Sequence, residues 1–139
     1  MSFATIEVHS AGARGSITLN RPEKLNPLST ETLGELAAAA RGLDEDEEIR
    51  VVVLGGRGRA FSAGADISEL ADLTIGELAG QVERLQSSLG AVARIGKPTV
   101  AAVTGYALGG GLEIALACDF RIISESARLG LPEISLGVI

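Results

Sequence analysis

Arg50-Val51-Val52-Val53-Leu54 is followed by Gly55-Gly56-Arg57-Gly58-Arg59-Ala60-Phe61-Ser62-Ala63-Gly64. The first five residues carry a continuous β-branched run, Val51 to Val53, the mark of a strand covered on both faces, as in parallel sheets. The ten after them are dominated by glycine and predict a loop at the strand's end. Upstream, Ser29 stands as an N-cap before Thr30 to Leu43, where Leu33, Leu36, Ala37, Ala40 and Leu43 keep helical spacing. Thr32 is not the acid that a capping box uses. Further upstream, Phe3 to Val8 and Gly15 to Asn20 alternate on either side of Gly12 and predict a hairpin. Downstream, Leu78, Val82, Leu85, Leu89 and Val92 predict an amphipathic helix over about 75–95. After Lys97-Pro98, Thr99 to Val103 reads as a strand. The segment GYALGGGLEIALACDF (105–120) then holds a glycine cluster and a helical run, and Phe120 to Ile123 reads as one more strand. This succession of strands and helices predicts an α/β layered domain.

Composition narrows the function. The 139 residues suffice for one domain with one core. Twelve Lys and Arg against eighteen Asp and Glu give a net charge of −6, with the basic residues scattered. Nucleic-acid binding is not expected, because a phosphate backbone is held by clustered positive charge. One cysteine and one histidine exclude an internal disulfide and a His/Cys metal site. The start of the sequence, MSFATIEVHSAG, shows no basic stretch leading into an apolar run, so the cytoplasm is the expected compartment. Val100 to Ala117 has about the length of a membrane span, but Glu113 and four glycines argue against one. Eighteen glycines are roughly twice ordinary usage and call for tight turns or close backbone approaches.

Glu113 is the most informative single residue. It stands among Leu112, Ile114, Ala115 and Leu116, on a run too apolar to lie on a surface. Desolvation raises a carboxyl's pKa, which makes Glu113 a candidate general acid or base; a salt bridge to an arginine, or a helix N-terminus that accommodates the charge, is the competing account. Gly109-Gly110-Gly111 precede it at a loop-to-helix junction, where unpaired backbone N–H groups could reach an oxyanion or merely permit close packing. Glu133, between Pro132 and Ile134, is a second carboxylate in apolar company, or an ordinary loop glutamate. Three familiar motifs fail. Gly56-Arg57-Gly58 has Phe61 where a dinucleotide fingerprint needs its third glycine. No P-loop occurs. Ala60-Phe61-Ser62-Ala63-Gly64 imitates a nucleophile elbow, but the sole histidine, His9, precedes the serine. His9 reads as a surface strand residue, Asp44 to Glu48 as a solvated acidic turn and Cys118 as a small buried hydrophobe. Two sheltered glutamates and two glycine loops suggest proton transfer beside a carbonyl whose oxygen is held as an oxyanion.

Ile17-Thr18-Leu19-Asn20-Arg21-Pro22, Ala60-Phe61-Ser62-Ala63-Gly64-Ala65-Asp66-Ile67, Lys97-Pro98, Gly105-Tyr106-Ala107-Leu108-Gly109-Gly110-Gly111-Leu112-Glu113 and Pro132-Glu133-Ile134 occur in this order along essentially the whole chain. Together they resemble the enoyl-CoA hydratase/isomerase (crotonase) family. The resemblance implies a spiral of repeated β-β-α units that binds an acyl-CoA thioester substrate. It places the oxyanion-hole N–H groups on Ala65 and Gly110, with Gly64 and Gly109 beside them. The backbone of Ala63 would face the adenine of CoA, and Ala65, Asp66, Ile67 and Ser68 would line the ligand channel. Glu113 would activate water and Glu133 would protonate the α-carbon, so that trans-2-enoyl-CoA becomes 3-hydroxyacyl-CoA by syn addition, a step of fatty acid β-oxidation. No metal or redox cofactor is implied, CoA being part of the substrate. Arg21, Lys24, Arg57 and Arg59 could meet its phosphates or remain solvated loop charges.

The sequence ends where family members continue into a C-terminal helical part that closes the pocket and builds trimers or dimers of trimers. An N-terminal core spanning 1–139, with exposed apolar surface, is therefore expected. Leu131 stands where many hydratases have Gln, and Leu129 where an aromatic is common. Isomerase or other thioester chemistry of the same family is one alternative, and a non-catalytic acyl-CoA-binding protein is another.

Overall fold

A computed structural model describes residues 2–136. The chain opens with the expected hairpin, in which β1 (Ile6–Ala11) pairs antiparallel with β2 (Arg14–Leu19) in the register Ile6↔Leu19. A 3-10 turn and the short β3 (Pro27–Leu28) lead into α1 (Thr30–Glu45). Ser29 Oγ caps this helix by accepting from the N–H of Thr32 at 3.1 Å, and the two hydroxyls also meet at 2.9 Å. The positions picked out by helical spacing, Leu33, Leu36, Ala37, Ala40 and Leu43, are all buried.

Beyond α1 the chain repeats one pattern. A strand joins a large sheet, the next strand joins a small one, and a helix follows. β4 (Val51–Gly56) enters the large sheet, and β5 (Ala60–Ser62) enters the small one. β6 (Gly64–Ala65) pairs with β3, followed by the single turn α2 (Ile67–Leu70) and by α3 (Ile75–Ala93). The pattern returns with β7 (Thr99–Val103), β8 (Tyr106–Leu108) and α4 (Gly110–Ala117), and again with β9 (Phe120–Ile123), β10 (Arg128–Gly130) and a 3-10 turn over Pro132–Leu136. The large sheet has the order β1-β2-β4-β7-β9, parallel from β2 onward, and the small one β10-β8-β5 is parallel throughout. This is the spiral of β-β-α units that the resemblance implied. The units share geometry and not residues, which is why no repeat shows in the sequence.

Three expectations need correction. The segment 55–64 is not simply a loop. β4 continues through Gly56, and Ala60, Phe61 and Ser62 form a fully buried strand, too short for a period to reveal it. The run 51–54 is not covered evenly, since Val52 and Leu54 are buried and Val51 and Val53 half-buried. Of the apolar stripe of α3 only Val92 is buried; Leu85 and Leu89 are half-buried against the core, and Val82 remains 51% exposed. The α4 run likewise has an open side, with Leu116 56% exposed. Periodicity reports which face prefers cover, not what lies against it.

The single core joins α1, the large sheet, the end of α3, Phe61 of β5 and Ile114 and Ala115 of α4. Phe120, Ile122 and Ile123 of β9 lie exposed, in keeping with the expected apolar surface.

Candidate active site

β5, β8 and β10 run parallel and side by side, so the segments leaving their C-terminal ends converge. Those segments are 63–66, 109–113 and 131–133, the three in which sequence reasoning placed the chemistry. Crevices beyond the carboxyl ends of parallel strands are the common ligand sites of α/β sheets. Here a cavity of about 300 Å³ is lined by Ala63, Gly64 and Ala65, by Gly109, by Pro132 and Glu133, and by Ile67, Leu70 and Ala71 at α2.

Backbone contact joins the first two segments. Gly64 has φ +96°, and a Cβ there would stand 2.7 Å from the carbonyl oxygen of Leu108 and 3.6 Å from the nitrogen of Gly110. Only glycine lets the strand bearing Ala65 lie this close to the start of α4. Gly110 is the first residue of that helix, so its N–H has no carbonyl of a preceding turn to bond. Gly111 packs against β5, where a Cβ would come within 2.7 Å of Ser62 Cβ.

Both glutamates belong to this turn, Glu133 by contact and Glu113 by its place in the chain. Gly109, at φ +54°, leaves a space that an oxygen of the Glu133 carboxylate occupies; a Cβ would overlap it. Glu113, in the first turn of α4, is half-buried. Burial pushes its carboxyl above the ordinary value, and the negative charge of Glu133 pushes it the same way. Among the described residues no hydrogen bond answers Glu113, so an arginine partner is not what keeps it there. Glu133 lines the cavity and Glu113 does not.

The other candidates divide. Ala63, Gly64, Ala65, Ile67 and Gly109 line the cavity; Gly110, Asp66, Ser68 and Lys24 do not. Asp66 accepts from Ser68 Oγ at 2.6 Å and pairs with Arg21 at 3.3 Å. The Ser68 hydrogen bond holds its carboxyl below the usual value; burial opposes this, and Arg21 adds to it. Arg57 pairs with Glu7. Lys24 and Arg59 are exposed. Cys118 is buried, and burial drives its thiol up to about 11, which leaves it inert at neutral pH. Among the described residues, no group of three or more His, Cys, Asp or Glu is arranged to hold a metal ion.

Sequence reasoning missed Leu70, Ala71 and Asn26. Asn26 is fully buried at φ +53°; its amide donates to the carbonyls of Arg57 and Ala60 at 2.9 and 2.8 Å, and its Oδ1 accepts from the N–H of Arg21 at 2.8 Å. Its carbonyl takes the Ser62 hydroxyl at 2.8 Å, so Ser62 fastens a loop and is no free nucleophile. The available signal was residue type, since asparagine tolerates the left-handed region.

Comparison with known proteins agrees with this geometry. The sequence pattern of the family described as "Enoyl-CoA hydratase/isomerase" matches residues 11–139. A probable enoyl-CoA hydratase of Rhizobium meliloti is 46% identical over 139 residues, and one of Mycobacterium bovis 44%; each alignment takes in 100% of this chain and 53% of the relative. The chain thus spans about half the length of the curated relatives it matches. Among solved structures, an enoyl-CoA hydratase of Bacillus anthracis superposes with a TM-score of 0.93 at 39% identity, covering 98% of this chain and 54% of that one. A subunit I structure from Geobacillus kaustophilus gives 0.91 at 43%, covering 99% and 52%. With the spiral of β-β-α units, the paired glycine turns and the two glutamates all in family order, the chain belongs to the enoyl-CoA hydratase/isomerase family.

Proposed function

We propose that this chain carries the site of an enoyl-CoA hydratase, which adds water syn across a trans-2-enoyl-CoA thioester to give a 3-hydroxyacyl-CoA. The observation that carries the reading is the packing of the Glu133 carboxylate against Gly109 in the cavity wall, with Glu113 in the first turn of the helix that follows and within reach of its charge. Two carboxylates in each other's field, one raised toward neutrality, suit a reaction in which one group takes a proton and another gives one.

In this reading Glu113 removes a proton from water as the oxygen bonds to the β-carbon. The electron pair of the double bond moves toward the thioester, whose oxygen becomes an oxyanion held by the N–H groups of Ala65 and Gly110. Glu133 delivers a proton to the α-carbon, and the proton that Glu113 took from water is returned to Glu133, so that one water is added in all. Removing one donor of such a hole typically costs about 100- to 1000-fold in rate. The balance requires no metal and no redox cofactor, and CoA enters as part of the substrate. The hydratase names of the relatives support the reaction class. The reading carries with it a role in fatty acid β-oxidation, a cytoplasmic location and, for a full-length chain, a homotrimer or dimer of trimers, which light scattering would check. Among the described residues no helix is long and apolar enough to cross a membrane.

The test is loss of enoyl-thioester absorbance when the purified chain meets a short trans-2-enoyl-CoA, with product analysis and Glu133→Gln as control. Turnover to the 3-hydroxy product that the variant abolishes supports hydration. A shifted double bond in place of a hydroxyl makes the chain an isomerase, and binding without turnover in either protein makes it an acyl-CoA-binding module.

A further inference from the structure

We infer that Glu69 and Gln81 are positioning residues that hold the α2 wall of the cavity and through it set how tightly an acyl-CoA binds; the inference rests on the acyl-CoA reading above. α2 has four residues, too few to persist on its own hydrogen bonds. Its N-cap, Asp66, makes no side-chain capping bond, and none of its residues is fully buried. Yet Ile67, Leu70 and the following Ala71 form one side of the cavity. A single turn without a core of its own stays in place only if its ends are fastened elsewhere.

Asp66 fastens the first end to Arg21. Glu69 fastens the second. Its carboxylate accepts from the N–H of Thr30 at 2.9 and 3.2 Å, a donor at the start of α1 that no helical carbonyl answers, at the positive end of that helix. Gln81 of α3 closes the junction, donating through Nε2 to Thr30 Oγ1 at 2.6 Å and to the Glu69 carboxylate at 3.1 Å. Gln81 Oε1 is buried without a partner among the described residues. An unpaired buried acceptor is a cost that an apolar side chain would avoid; what the amide supplies in return is the tie between three elements. Of these, α2 is the one whose residues line the cavity.

The test measures the affinity of butanoyl-CoA, a saturated thioester that cannot be hydrated, by calorimetry, alongside amide hydrogen exchange over residues 67–71. Glu69→Ala and Gln81→Ala each weaken binding by about three- to tenfold, because the wall must then be ordered at the moment of binding. The double variant is no weaker than the worse single one, since both remove one junction. Exchange over 67–71 accelerates, Glu69→Gln, which keeps an oxygen for Thr30, restores most of the affinity, and Glu83→Ala, exposed on the same helix, changes nothing. Variants that bind like the parent chain, with or without a lowered Tm, overturn the inference and leave the acyl-CoA reading standing. A parent chain that does not bind butanoyl-CoA overturns both.

Discussion

Glu35 and Glu113 are both half-buried glutamates on helices, and their surroundings treat them in opposite ways. Glu35, on α1, receives the N–H groups of Ala4 and Thr5 at 2.6 and 2.8 Å and the Thr5 hydroxyl at 2.6 Å. Burial acts to raise its carboxyl, but the Thr5 hydroxyl and the backbone donors outweigh it and hold the carboxyl below the ordinary value. Glu113, on α4, is raised by burial and by a second carboxylate, with no donor among the described residues to offset either. Burial of an acid therefore does not by itself mark a site. The supply of donors decides whether the carboxylate is a fastening or a group poised to exchange protons.

The sharpest way to break this contrast is kinetic. Glu113→Gln keeps the shape and removes the proton acceptor, so hydration of a short enoyl-CoA should fall by about 100- to 10,000-fold with thioester affinity retained. Glu35→Gln should leave the rate unchanged. A Glu113→Gln chain that hydrates within a few-fold of the parent, or a Glu35→Gln chain that does not, would erase the distinction.

Stability separates the same pair with opposite signs. Glu35→Gln sets an amide N–H against donors that now bond a carboxylate, and should cost about 1–3 kcal/mol at neutral pH in urea unfolding. The native carboxyl lies below the ordinary value of 4.5, so its contribution is complete above that pH and is lost as pH falls through the native value. Parent and variant midpoints should converge in acid. For Glu113 the native value lies above 4.5. Between the two values the native state holds the proton more tightly than the unfolded chain, and stability falls as pH rises through that window. Glu113→Gln should therefore be more stable than the parent at pH 7, with the gain vanishing below about pH 4.5. Equal midpoints at pH 7 would mean that the site carries no such cost.

How much of this the sequence shows depends on the range of the interaction. Helix α1, the strands β2, β4 and β7 and the cap at Ser29 are legible because spacing and residue type act within a few positions. Glu113 is legible because a lone acid in an apolar run is locally anomalous. Glu35 is not: it sits in an ordinary amphipathic helix, and its donors lie 30 and 31 positions away in the chain. The Glu69–Thr30–Gln81 junction is hidden for the same reason, with partners 39 and 51 residues apart. β5, β8 and β10 escape because three residues carry no period, although they aim the three site segments at one point.

The two regions also use glycine differently, and this supplies the smallest effect. Eighteen glycines suggest many close approaches, yet a Cβ at Gly34 or Gly42 of α1 would meet nothing within 4 Å. Glycine in an exposed helix costs conformational entropy that alanine does not. Gly34→Ala should therefore stabilise the fold by about 0.5–1 kcal/mol, read as a higher urea midpoint with unchanged thioester affinity. Gly64→Ala, at φ +96° with the carbonyl of Leu108 in the way, should destabilise the fold and displace Ala65 from Gly110. If both substitutions moved stability in the same direction, glycine at the site would be no more constrained than glycine on the surface of α1, and the close approach that brings Ala65 and Gly110 together would not depend on the missing side chain.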